Sequence, residues 1–328
     1  MSERIPEETS LRHKDASGCD ALQGFGNRIG LGCAVLGQPH EFKSDAEAAA
    51  VMEAAYEAGI RIFDAAPLYG GGLAEERLGR LVRQVPRDSI TLCTKAGVDR
   101  PYGQGPVPPS GTRRREADIW DYSQEALSRS VQRSLDRLNT DRLDIVHLHD
   151  ADNRVEEAIS GYSHLNAMKM AGTIGAVGAG SNHVETLQGI IDAVPLDAIL
   201  MAGRLTPLDH SGAALVKTCA ERSARVVLGG IYNSGILATW PATGTFFNGP
   251  AREEVRDRTA RLAKVCEAYA VPLRAAALHY PLHNAAVSTV LIGPASLSEL
   301  KQTLDDLACA IPDKLWTDLA DADGRENN

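Results

Sequence analysis

Short apolar runs rich in β-branched residues recur at 29–33, 60–63, 90–94, 143–148, 174–177, 197–201, 225–228 and 287–292. They are too short for stable helices and carry little polar alternation, which is how strands covered on both faces read. Between them, apolar positions spaced three and four apart predict helices over 45–58, 74–82, 123–138, 155–170, 184–192, 212–222, 253–270 and 297–307. Eight alternations of strand and helix, with no Pro- or Ser-rich linker, predict an α/β fold: a single-domain (β/α)8 TIM barrel over residues 28–320. Residues 1–27 read as an N-terminal extension and 321–328 as a tail. An open doubly wound sheet would want G-x-G-x-x-G after its first strand, where the chain has Ala34-Val35-Leu36-Gly37-Gln38-Pro39.

Two strand-to-strand intervals are nearly twice as long as the others, from Ile90 to Leu143 and from Arg225 to Val287. The surplus falls in segments 97–122 and 231–252, which are rich in glycine, proline and aromatics, including Trp120, Tyr122, Tyr232, Trp240, Phe246 and Phe247. Loops that follow strands emerge at the C-terminal face of such a barrel, where chemistry is placed, so these loops after strands 3 and 7 are expected to wall one pocket. Trp120, Tyr232 and Trp240 are the candidate substrate-pocket residues.

Charge and cysteine narrow the function classes. With 34 Lys and Arg against 43 Asp and Glu, the formal charge is −9, which argues against nucleic acid, because a phosphate-tracking surface carries a basic excess. No run approaches the roughly 20 apolar residues of a membrane span. The six cysteines form no C-x-x-C and no regular framework, so neither a disulfide scaffold nor a structural zinc site is expected. The polar first ten residues lack a signal peptide's apolar core. A cytoplasmic protein with a small-molecule partner, a monomer or a small homo-oligomer, is the resulting expectation.

Ionisable residues stand at the ends of three successive strand runs: Asp64 after Ile62-Phe63, Lys95 after Cys93-Thr94, and His149 after His147-Leu148. Tyr69 follows Asp64 on a turn begun by Pro67 and ended by Gly70. A free tyrosine titrates near pH ~10, and an adjacent ammonium stabilises its phenolate, so Lys95 is expected to lower Tyr69. Asp64 would orient Lys95, and His149 would hold a substrate oxygen. Such a set transfers a proton at a carbonyl or carbinol, and no G-x-S-x-G nucleophile elbow competes with it. His147 and His149 share a strand face, as two ligands of a metal would, but no further ligand set stands at the strand ends, so no metal is expected. His147 then reads as an interior histidine in need of a local partner.

These residues resemble the aldo-keto reductases, from about Asn27 to about Leu319. The carrying text is Ile62-Phe63-Asp64-Ala65-Ala66-Pro67-Leu68-Tyr69-Gly70, Thr94-Lys95 and Asp144-Ile145-Val146-His147-Leu148-His149. The resemblance implies a catalytic tetrad of Asp64, Tyr69, Lys95 and His149. Ala202-Gly203-Arg204, the run from Asn233 to Thr239, and Ala275-Ala276-Ala277-Leu278 in a helix before strand eight are similar to the branch holding D-threo-aldose (L-fucose-type) 1-dehydrogenases and pyridoxal 4-dehydrogenase. It implies oxidation of an aldose at C1 to the lactone by hydride transfer to a nicotinamide. The alternatives are NADPH-dependent reduction of an aldehyde or ketone, a pyridoxal-type alcohol oxidation, or a nicotinamide-binding regulatory subunit.

By the same resemblance Ser181 and Asn182 would bind the nicotinamide amide, and Asn233-Ser234-Gly235 would cradle the pyrophosphate with backbone N–H groups. Two family contacts, a glutamine on strand six and an aromatic after strand seven, are replaced by Ala202-Gly203 and Gly229-Gly230, with Arg204 or Tyr232 as candidate substitutes. Where members specific for NADPH carry a Lys-Ser pair and then an arginine, this chain has Gly293-Pro294 and Glu299. A carboxylate there would repel a 2′-phosphate, so NAD is the expected cofactor and NADP the alternative.

Overall fold

The computed structural model describes residues 28–38, 44–99, 119–239, 245–247 and 249–323. Eight parallel strands close into a barrel: β1 (Ile29–Gly32), β2 (Ile62–Asp64), β3 (Thr91–Ala96), β4 (Leu143–His149), β5 (Ile174–Ser181), β6 (Ala198–Ala202), β7 (Arg225–Gly229) and β8 (Val287–Ile292). Each pairs with its sequence neighbours, and β1 closes the ring on β8 through Leu31 opposite Ile292. The helices are α1 (Asp45–Glu57), α2 (Leu73–Val82), α3 (Gln124–Leu138), α4 (Val155–Met170), α5 (Val184–Ala193), α6 (Ala213–Glu221), α7 (Glu253–Ala268), α8 (Leu273–Leu282), α9 (Leu297–Leu307) and α10 (Asp313–Ala322). The predicted (β/α)8 barrel is therefore the observed fold. The helix period had not singled out α10, which packs on α7 over a second apolar cluster containing Leu262, Leu315 and Leu319. No helix among the described residues is long and apolar enough to cross a membrane.

Helix starts follow from side chains able to take orphan N–H groups. Ser44 and Glu47 form a reciprocal capping box at α1, and Ser123 and Ser296 accept N–H groups at the starts of α3 and α9. Leu31, Phe63, Leu92, Val146, Leu148, Val177 and Met201 belong to the large cluster between strands and helices. The alternate residues point inward, where Cys93, Ile145 and Ala198 pack with Ile62 and Ala176. The two-residue period then carries β3 from Cys93 to Lys95 and β4 from Ile145 to His147 and His149. The barrel interior thus changes along its axis from apolar to ionisable, and the change falls at its C-terminal mouth.

The surplus after β3 is bracketed by a small antiparallel ribbon, Val98–Asp99 with Ile119–Trp120, and the surplus after β7 carries one near its end, Thr245–Phe246 with Gly249–Pro250. Trp240, expected in the substrate pocket, lies outside the described residues.

Candidate active site

At the mouth, Lys95 is 1% exposed and Asp64 3%. Lys95 Nζ donates to Asp64 Oδ1 at 2.6 Å and to the Ala65 carbonyl at 2.9 Å. Burial works against the ammonium, but Asp64 and the Tyr69 phenol outweigh it and hold Lys95 above an ordinary lysine. Burial pushes the Asp64 carboxyl up although Lys95 pulls it down.

Lys95 Nζ also lies 4.8 Å from the centroid of the Tyr69 ring, and the Tyr69 and His149 rings meet edge to face at 6.1 Å. The structure therefore gathers Asp64, Tyr69, Lys95 and His149 into one cluster. One electrostatic expectation is corrected. Lys95 does pull Tyr69 down, but desolvation is larger, and the charges of Asp64 and Asp150 add to it, so the phenol lies above its ordinary value. In this state Tyr69 is a proton donor.

The turn that carries Tyr69 is fixed from behind. Gly70, Gly71 and Gly72 have φ of 69°, 66° and 99°, and a Cβ on Gly72 would lie 2.7 Å from the Arg137 side chain. Arg137 of α3 grips the fully buried Glu75 of α2 (Nε to Oε2, 2.7 Å), and Glu75 accepts from Thr94 at 2.5 Å. That network joins the helix following Tyr69 to the strand residue preceding Lys95.

Sequence reasoning missed the supports of His149. The Tyr122 hydroxyl donates to the His149 carbonyl at 2.5 Å, and its ring fills the place a side chain on Gly97 (φ 102°) would take. An aromatic two residues past the β3 ribbon, following a glycine at the strand's end, is the signal that was available. His147 has the opposite fate. It is fully buried and in register with Lys95, and the local partner expected for it is the Thr94 backbone beside its ring. Burial and Lys95 push its pKa down to about 3, so it is neutral.

The β5–β8 side is built differently. Ser181 donates to Asp152 at 2.5 Å and accepts the His183 N–H, while Asn182 is exposed and its carbonyl accepts from Arg204 at 2.7 Å. Arg204 also pairs with Asp209 at 3.1 Å and stacks on Phe247 at 4.0 Å, tying together the loops after β5, β6 and β7. Asn233 is turned inward: it accepts from Thr206 at 2.6 Å and donates to the Gly203 carbonyl at 3.0 Å. The Tyr232 hydroxyl sits by Thr303 of α9, with Asp306 and Arg274 as the charges around it, surroundings distinct from those of Lys95. Glu299 turns its carboxylate back onto the Ala295 N–H at 2.8 Å, at the start of α9.

The chain belongs to the Aldo/keto reductase family, whose profile matches residues 28–323, and it is an oxidoreductase of that family. It is 36% identical over 311 residues to a D-threo-aldose 1-dehydrogenase of Pseudomonas sp, covering 90% of this chain and 93% of the relative. It is 35% identical over 320 residues to a pyridoxal 4-dehydrogenase of Microbacterium luteolum, with coverages of 89% and 92%. Among solved structures, an aldo-keto reductase of Bacillus halodurans in its holo form shares the fold, with TM-score 0.72, 24% identity and coverage of 90% and 91%. Enzymes of this family use a nicotinamide dinucleotide. The residues here leave room for one: Asn233, Ser234 and Gly235 have successive φ of 45°, 62° and 99°, the Asn233 and Gly235 N–H groups close the turn onto the Gly230 and Tyr232 carbonyls, and a Cβ on Gly235 would meet nothing within 4 Å.

Proposed function

We propose that the chain is an NAD-preferring dehydrogenase that oxidises the anomeric carbinol of an aldose of the D-threo or L-fucose type to the lactone. The observation that carries the chemistry is the buried Asp64–Lys95 pair beneath Tyr69, with His149 edge-on to the phenol. The choice of an aldose rests on likeness to the Pseudomonas enzyme over nine-tenths of the chain.

In this reading Ser181 and Asn182 hold the amide end of the cofactor, the backbone of Asn233-Ser234-Gly235 holds its pyrophosphate, and Gly293 leaves room beside β8. When bound, the nicotinamide supplies the two-electron acceptor that takes the carbinol C–H hydrogen with its bonding pair. Tyr69 takes the hydroxyl proton, after which the carbon–oxygen bond is double. Lys95 stabilises the phenolate that must precede this step, Asp64 keeps Lys95 charged, and His149 orients the substrate oxygen. Glu299 supports NAD. Its carboxylate occupies the N-terminal turn of α9, the kind of position a 2′-phosphate would seek.

A second reading, reduction of an aldehyde or ketone, is favoured by one observation: the raised Tyr69 pKa leaves the phenol protonated. Both are tested by offering L-fucose, D-arabinose, L-xylose and pyridoxal with NAD or NADP, and simple aldehydes with NADH or NADPH. Reduced nicotinamide should accumulate with an aldose and NAD. Turnover confined to aldehydes with NADPH replaces the first reading by the second, and silence in every combination refutes both.

A further inference from the structure

We propose that Asp152 is a positioning residue for the cofactor: by accepting the one proton of the Ser181 hydroxyl, it leaves that hydroxyl able to meet the nicotinamide amide only at its N–H end. This rests on the reading of Ser181 as an amide contact and deepens it, because it states which end of the amide is recognised and what enforces the choice.

The backbone brings the two residues together. The Asp150 N–H donates to the Gly180 carbonyl at 2.8 Å, which lays the chain leaving β4 against β5 one residue before Ser181. The chain then turns, the Arg154 N–H donating to the Ala151 carbonyl at 2.9 Å, and Asp152 stands within that turn. Its side chain is 16% exposed, and both oxygens face the end of β5 and the residues after it. Oδ1 accepts from Ser181 Oγ at 2.5 Å, and Oδ2 lies 3.1 Å from His183 Nδ1. Ser181 Oγ in turn accepts the His183 N–H at 2.9 Å. Asp152, Ser181 and His183 thus close a ring of contacts that holds the hydroxyl from two sides.

Counting donors and acceptors decides what remains. A serine hydroxyl has one proton and two lone pairs. The proton goes to Asp152 and one lone pair to the His183 N–H, so a single lone pair is left. An ionised carboxylate only accepts, so the two partners cannot exchange roles. Ser181 is 3% exposed, and little water is at hand to replace the Asp152 bond if the hydroxyl were to turn. A nicotinamide amide offers a carbonyl, which only accepts, and an NH2, which donates. The carbonyl set against Ser181 would place acceptor on acceptor and leave both without a partner. The NH2 completes the count.

The test is equilibrium binding to the full chain, read by quenching of protein fluorescence. The probes are NAD or NADP and the matching 3-acetylpyridine dinucleotide, whose methyl ketone keeps the carbonyl and lacks the N–H. Wild type should bind the amide form more tightly by roughly ten- to a hundredfold. Ser181→Ala should bring the two forms within about threefold, the loss falling on the amide form. Asp152→Ala should narrow the gap from the other side, because a released hydroxyl can turn and donate to the ketone. Asp152→Asn should restore the wild-type ratio, since its carbonyl can accept from Ser181 while its NH2 faces His183 Nδ1.

A wild type that binds both forms alike, or the wild-type ratio in Ser181→Ala or Asp152→Ala, overturns the proposal. So does an Asp152→Asn that behaves as Asp152→Ala. If Asp152→Ala does not fold, Ser181→Ala and Asp152→Asn carry the decision. Failure of the functional reading looks different. A wild type that binds neither NAD nor NADP refutes the nicotinamide site and the proposal with it. A wild type that binds the amide form but oxidises no aldose refutes the substrate alone, and the binding ratio still decides on Asp152.

Discussion

The two arcs of the barrel mouth are made of different materials. From β2 to β4 the strand ends present Asp64, Lys95 and His149, each at most 5% exposed, with Lys95 bonded to Asp64 and to the Ala65 carbonyl and His149 beside the Asp150 carboxylate. From β5 to β8 they present Ser181, Ala202, Gly229 and then Gly293, small residues whose side chains contribute little charge. Proton transfer happens at one point, so it needs ionisable groups held rigidly there. A long dinucleotide needs close approach along its length, which small residues and backbone N–H groups permit. The contrast teaches that one face can divide its labour by side-chain type, and each arc should then fail in its own way.

Tyr69→Phe is the largest expected failure. Deleting the hydroxyl should lower kcat by roughly 10²- to 10⁴-fold, the usual range for a positioned acid or base. Nicotinamide affinity, measured by quenching of protein fluorescence, should stay within about twofold, because it belongs to the other arc. Affinity falling together with turnover would end the division.

Glu75→Gln probes what holds the first arc in place. The glutamine keeps a partner for Thr94 but leaves Arg137, 19% exposed, without its carboxylate. Breaking a buried pair from one side costs about 3–5 kcal/mol, and the partial exposure of Arg137 reduces this to about 2–3 kcal/mol in urea unfolding. The exposed pair Lys301–Asp305 is the control, where loss of one partner should change stability by less than about 0.5 kcal/mol. Similar losses at both places would mean that the Glu75 network does not brace the Tyr69 turn.

The same contrast governs what could be read from the chain alone. Strand runs at 143–148 and 287–292 and the long helices were legible because burial on a regular period leaves a hydrophobic trace. The end of β5, Gly178 to Ser181, carries no β-branched residue and left none. Asp64, Lys95 and His149 stood out because an ionisable residue closing an apolar run is conspicuous. The neighbours of Tyr232, Thr303 and Asp306, are some seventy residues away in sequence, and the torsions after β7, among them Gly230 at φ 60°, leave no trace in a hydrophobic pattern. The direction of the Tyr69 shift was missed for a related reason: the sequence names the charge that helps the phenolate, while the desolvation that opposes it exists only in the fold.

His147 is the exception inside the first arc, and it yields the smallest predicted effect. It lies in register with Lys95, and burial and the Lys95 charge outweigh the Thr94 backbone beside its ring and push its pKa from 6.5 down to about 3. Above pH 6.5 both folded and unfolded chains hold it neutral, so it adds no pH dependence. Below that, the unfolded chain takes up a proton that the folded one refuses, and stability falls toward pH 3 with a slope of at most about 1.4 kcal/mol per pH unit from this residue. His147→Leu trades a buried neutral imidazole, with the Thr94 backbone beside it, for an apolar side chain of similar volume, so at neutral pH it should change stability by no more than about 1 kcal/mol in either direction. Its advantage should emerge on acidification: urea midpoints of wild type and variant should diverge as pH drops from 6.5 to 4.5, with the variant falling less. Parallel curves would mean that the imidazole accepts its proton in place, and that the first arc holds a second cation beside Lys95.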